Sequence, residues 1–116
     1  MKIDKLIENL VGLGIPGLIL LVAISTSGFA GAAAITVALS TIGLGFGMIA
    51  GIGVLGFSLI ISRAISKYGF EKIYTGTIKG LLDKGESKET ILLKIKKYPI
   101  SKELKLKLEE LLKDSE

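Results

Sequence analysis

Residues 9–62 read NLVGLGIPGLILLVAISTSGFAGAAAITVALSTIGLGFGMIAGIGVLGFSLIIS, fifty-four positions without one charged side chain. All fifteen basic and all eleven acidic residues of the 116-residue chain lie in the two flanks. A helix exposed to water needs a polar face, and a run of about 18 or more apolar residues has the length of a membrane span. Residues 9–62 offer three times that length. The expectation is an integral membrane protein in the cell (inner or plasma) membrane, with the lipid bilayer as its first partner.

The length of the stretch sets the number of crossings. A helix rises about 1.5 Å per residue and a hydrocarbon core is about 30 Å thick. Residues 10–27 make one span of roughly 27 Å, and residues 29–62 run to roughly 51 Å, too long for one straight crossing. The second stretch is expected to break near Gly43, Gly45 and Gly47, since each glycine weakens a helix by about 1 kcal/mol relative to alanine. Two topologies follow. In one, residues 10–27 and 43–62 cross and residues 29–42 are short, re-entrant or tilted. In the other, all three segments cross. Lysine on both flanks favours both termini in the cytoplasm. Pro16 with Gly12, Gly14 and Gly17 permits a kink or a late helix start in the first span. Lys2 and Lys5 before an apolar run also have the layout of a leader peptide; the reading kept is that the segment is retained.

The fold class is therefore all-α: a transmembrane helical hairpin of two spans, or three, with a short amphipathic helical C-terminal tail. Residues 1–8 form a short charged segment, 9–62 the membrane-embedded helices, and 63–116 a cytoplasmic tail.

Within the apolar stretch the side chains sort by size. Gly43, Gly47 and Gly51 repeat every fourth residue, and on a continuous helix Thr36 and Ser40 precede them on the same face. Lipid provides no hydrophobic drive between helices, so close approach over small residues is what holds them together. The stripe serves either packing within one chain or self-assembly into a homo-oligomer. In an assembly, Thr36, Ser40, Thr41 and Ser58 are the polar candidates for lining a pore, although such hydroxyls commonly bond their own backbone carbonyls. No ionisable residue sits in the stretch, which argues against coupled transport and proton relay.

The tail has a helical pattern. Phe70, Ile73, Tyr74, Ile78, Leu81 and Leu82 follow i, i+3, i+4 spacing. Asp83-Lys84-Gly85 predicts a stop, Ser87 an N-cap for a helix that ends before Pro99, and Ser101 an N-cap for a last helix carrying Leu104, Leu108, Leu111 and Leu112. Helices this short need something to pack on. The tail is either a solvated appendage or a docking module, with Phe70, Ile73, Tyr74, Leu81, Leu104, Leu108 and Leu111 as the candidate contact residues for a cytoplasmic protein.

Several chemistries are excluded. The chain has no cysteine, histidine or tryptophan, so thiol redox, Cys/His metal sites and His or Cys catalysis have no ligands or nucleophiles. The glycines lack the Lys-Ser/Thr of a phosphate loop and follow no strand. No enzymatic activity and no cofactor is expected. The tail alternates lysine with glutamate, without an arginine cluster, so no nucleic-acid partner is expected.

The run Gly28-Phe-Ala-Gly-Ala-Ala-Ala-Ile-Thr-Val-Ala-Leu-Ser-Thr-Ile-Gly43, with the glycines that follow to Gly56, resembles the small glycine- and alanine-rich membrane proteins of the interferon-induced type. It is also similar to glycine-zipper segments of bacterial conflict effectors. The layout of two or three spans with a charged tail resembles phage holins, though the tail here is longer. These resemblances cover about 30 residues and imply membrane perturbation. The expected function is a self-assembling protein that permeabilises or perturbs a membrane; the alternative is a non-permeabilising anchor that recruits a partner through its tail.

Overall fold

The first helix begins six residues before the uncharged stretch and runs into it. In the computed structural model, which describes residues 2–41 and 53–115 and, of these, the side chains of 2–36 and 55–115, α1 spans Ile3–Leu13. Its Leu6, Leu10 and Val11 are buried while Lys2, Asp4, Lys5 and Glu8 are exposed. The expected boundary at residue 8 thus falls inside a helix, because the apolar spacing Leu6, Leu10 continues across it.

Gly14 ends α1 with φ 75°, a left-handed value that glycine adopts without strain. Helix α2, Ile15–Thr41, starts on the far side. Pro16 sits in its first turn, where a missing N–H costs no helical bond. The helix therefore starts late, five residues after the expected position 10. At Gly28 the backbone leaves helical geometry (φ 73°, ψ −171°) and α2 kinks. The start near residue 29 expected for the second segment corresponds to this kink.

Helix α3, Gly53–Tyr68, carries the chain out of the uncharged stretch and into the charged region without interruption. Gly69, at φ 92°, turns it into α4, Phe70–Asp83. Gly85, at φ 101°, closes the expected Asp83-Lys84-Gly85 stop. The side chain of Ser87 accepts the backbone N–H of Thr90 at 3.1 Å to open α5, Lys88–Lys97, before Pro99. The hydroxyl of Ser101 accepts the N–H of Leu104 at 3.2 Å to open α6, Lys102–Asp114. The described residues hold six helices and no strand, an all-α fold. Among the described residues one helix, α2, is long and apolar enough over residues 15–36 to cross a membrane, by length and composition.

The tail helices do not stand apart. Helix α4 packs along α1, and α5 and α6 pack on each other and on α2. A Cβ added at Gly76 would lie 2.6 Å from Ile7 Cδ1, and one at Gly80 would overlap the methyls of Val11. Matching steps of four on both helices make α1 and α4 parallel neighbours. The core they enclose is the first half of α2: Ile15, Leu18, Ile19, Leu20, Leu21, Val22, Ala23 and Ile24 are each at most 5% exposed. Seven consecutive buried residues mean burial on every side of the helix, which is why this stretch needs no polar face. At about 1.5–3 kcal/mol per large apolar side chain, removing these residues from water contributes on the order of 10 kcal/mol.

A candidate membrane-contacting surface and a groove beside it

The surroundings of α2 change at Ser25. Residues 25–30 are all exposed, Phe29 at 42%. The hydroxyls here turn back on the helix: Ser25 donates to the Val22 carbonyl at 2.8 Å, and Thr26 to the same oxygen at 2.9 Å. Thr36 likewise donates to the Ala32 carbonyl at 2.9 Å. Such bonds hide polarity from an apolar solvent and let these residues sit in hydrocarbon.

Helix α3 supplies the neighbouring surface. Phe57, Ser58 and Ile61 point inward and are fully buried, with Ala64 nearly so. The other face carries Leu55 (51% exposed) and Leu59 (44%), then Arg63, Ser66 and Lys67, all exposed. At 100° per residue, Leu55, Leu59, Arg63 and Lys67 form one gently winding stripe. It passes from leucine to cation within one turn. Lys67 Nζ lies 5.2 Å from the centre of the Tyr68 ring, a cation–π contact at the end of the helix.

The predicted site residues divide sharply. Gly43, Gly47 and Gly51 lie outside the described residues, as do the side chains of Ser40 and Thr41. Thr36 is half-buried, and Ser58 is buried within the chain itself. Among the tail candidates, Ile73, Tyr74, Leu81, Leu104 and Leu108 are buried in the common core, so they hold the helices onto α1 and α2. Phe70 and Leu111 are half-buried and border a groove of about 730 Å³ between α4 and α6, with Tyr74, Ile78 and Leu82 along it.

The groove's chemistry is mixed. Phe70 stacks on Tyr74 with ring centroids 5.3 Å apart. The Tyr74 hydroxyl is buried without a well-formed hydrogen bond. Burial pushes its pKa up to about 12; the neighbouring Ser115 pulls it down slightly and the charge of Asp114 raises it further. Lys88 Nζ donates to the Ser115 carbonyl and pins the end of α6 to the start of α5. Burial also raises the pKa of Tyr98, against a smaller opposing effect of Lys94. The α1–α2 turn borders a second hollow, lined by Leu13, Gly14, Ile15, Pro16, the α5 residues Lys94 and Lys97, and Tyr98 just after α5.

Sequence reading missed two features. One is the pair Gly76 and Gly80, whose spacing of four repeats on α4 the same device it recognised at Gly43. The other is the leucine-to-cation stripe of α3, which straddles the end of the uncharged stretch at Ser62 and is split in two when the chain is divided by charge.

The molecule thus belongs to a class defined by its architecture: an all-α protein in which amphipathic helices enclose half of a span-length apolar helix. No family model, curated protein or solved structure matches the chain.

Proposed function

We propose that the chain is a membrane-embedded protein that perturbs or permeabilises a bilayer after self-association, and that the enclosed arrangement is its closed state. The observation that carries this is the division of α2. About 22 residues at 1.5 Å give roughly 33 Å, a full crossing. Ten of them, 15–24, are held inside the protein, and the run that faces outward is residues 25–30, roughly 9 Å of helix. In the closed state the uncharged surface reaches into one leaflet. A crossing requires residues 15–24 to leave the sheath formed by α1, α4, α5 and α6.

Lipid is the solvent in which that release is affordable. In water, exposing these side chains costs on the order of 10 kcal/mol. Hydrocarbon solvates them as the core does, so the exchange is close to even. Once open, the hairpin takes up the two- or three-span arrangement, with both ends in the cytoplasm, and the Gly43, Gly47 and Gly51 stripe packs between copies.

A clamp tests this directly. The chain has no cysteine of its own, so Ile7→Cys with Gly76→Cys places one reactive pair between α1 and α4. The oxidised protein is expected to release no dye from liposomes, and reduction is expected to restore release. Leakage that ignores the clamp, or its absence in both states, removes the opening step. Gly47→Leu with Gly51→Leu should abolish oligomers and leakage together.

The groove between α4 and α6 favours a second reading, an anchor that recruits a soluble partner without permeabilising anything. It predicts that Leu82→Glu, at an exposed position on the groove, abolishes partner binding, and that the wild type releases no dye from liposomes.

A further inference from the structure

One end of the molecule collects the chain's excess positive charge. Parallel packing of α1 and α4 pairs Ile7 with Gly76 and Val11 with Gly80. One turn earlier, the same register sets Ile3 beside Lys72. The start of α1, the end of α3 and the start of α4 therefore meet, with Gly69 joining the last two. This end carries Lys2, Lys5, Arg63, Lys67 and Lys72, all exposed, against Asp4 and Glu71. The remaining ten basic and nine acidic residues of the chain nearly cancel. Three of the four formal positive charges thus belong to this rim. Lys113 and Asp114, on the end of α6 that reaches Tyr74, balance each other.

The rim also adjoins the right surface. On α3, Leu55 and Leu59 give way to Arg63 and Lys67 along one exposed stripe, and Tyr68 follows under the Lys67 ammonium. From Leu59 to Lys67 is eight residues, or roughly 12 Å along the axis. That is about the depth over which a membrane passes from acyl chain to phosphate. Tyrosine and basic side chains are the residues that settle at this level.

We infer that this rim binds the phosphates of anionic phospholipids, with Leu55, Leu59 and Phe29 in the acyl region below them. The inference rests on the membrane reading above and deepens it by naming the lipid class. The surface potential of anionic lipid is worth about fivefold in binding per nearby lysine or arginine.

Binding of the full-length protein to two kinds of vesicle tests it: phosphatidylcholine alone, and equal parts phosphatidylcholine and phosphatidylglycerol. The wild type is expected to prefer the anionic vesicles. Arg63→Gln with Lys67→Gln should weaken anionic binding roughly 25-fold and leave binding to neutral vesicles unchanged. Lys96→Gln with Lys97→Gln removes the same charge from exposed positions on α5, at the opposite end near the α1–α2 turn, and should cost less than about fivefold. Equal wild-type binding to both vesicles would overturn the lipid preference while leaving the membrane reading in place. Equal losses in the two double variants would overturn the rim, showing that only net charge matters. No binding to either vesicle would overturn the membrane reading and the rim with it. At matched ionic strength free inorganic phosphate should not compete, because it lacks the acyl chains that take up Leu55, Leu59 and Phe29 and the array of charges that a bilayer presents at once; effective competition would replace the bilayer by a soluble anion and overturn the assignment.

Discussion

Residues 15–24 and 25–30 of α2 are both uncharged, yet one reads Ile-Pro-Gly-Leu-Ile-Leu-Leu-Val-Ala-Ile and the other Ser-Thr-Ser-Gly-Phe-Ala, and their surroundings are opposite. Both count toward one span-length helix. The first set is enclosed by protein on every side; all six residues of the second are exposed. Hydropathy states that a segment avoids water, and it is silent on which apolar medium replaces the water. Helices α1, α3, α4, α5 and α6 all pack on α2; its leucine-rich half is the part enclosed, and the Ser-Thr-Ser-Gly run that follows is left exposed.

The largest effect should come from exchanging the two halves' roles in a truncation series. Leu20→Ala removes a fully buried side chain and is expected to cost about 2–5 kcal/mol of stability in detergent or buffer. Phe29→Ala, at an exposed site, is expected to cost under about 0.5 kcal/mol, yet to weaken vesicle binding severalfold. Melting by circular dichroism alongside vesicle flotation separates the two. Equal melting temperatures for the two variants would mean that residues 15–24 are solvated as residues 25–30 are, and the contrast would vanish.

The second effect concerns the turn that starts the enclosed half. A Cβ at Gly17 would overlap the carbonyl oxygen of Leu10. That oxygen belongs to the backbone of α1 and cannot swing aside as a side-chain tip does. Gly17→Ala should therefore cost about 1–3 kcal/mol or more. Gly76→Ala meets only the flexible end of Ile7 and should cost less. If Gly17→Ala melts like the wild type, the start of α2 does not lie against the Leu10 backbone of α1.

Much of this architecture is legible in the sequence, and the illegible part has a physical reason. The caps at Ser87 and Ser101, the stop at Gly85 and the end before Pro99 follow from local chemistry, which a few residues determine on their own. The break at Gly28 and the late start after Gly14 belong to the same kind. What local chemistry does not determine is partnership. Ile73, Leu81, Leu104 and Leu108 form apolar faces of the right period, but their spacing says nothing of what they cover. These docking candidates are buried in the common core of the chain. The same ambiguity hid α1: the charges of residues 1–8 and the apolar run from Leu10 divide the chain at a point where the Leu6, Leu10 spacing carries one helix across. Gly43, Gly47 and Gly51 lie outside the described residues, and their role rests on the assembly experiment.

The smallest effect probes how firmly the wall is closed, through Tyr74. Its hydroxyl sits in the wall with its pKa raised to about 12, chiefly by burial. The sign follows from linkage. An unfolded tyrosine loses its proton near pH 10, whereas the folded one holds it until about pH 12. Below pH 10 both states are neutral and Tyr74 adds no pH dependence. Between about 10 and 12 the unfolded state binds fewer protons, so stability falls as pH rises. Tyr74→Phe removes a buried hydroxyl that lacks a well-formed bond, so near neutral pH the change should be within about 0.5 kcal/mol. Above pH 10 the variant should lose stability less steeply than the wild type. Parallel curves through that window would mean that water reaches the hydroxyl. The groove between α4 and α6 would then open far enough to wet Tyr74, and the wall around α2 would be loosest on that side.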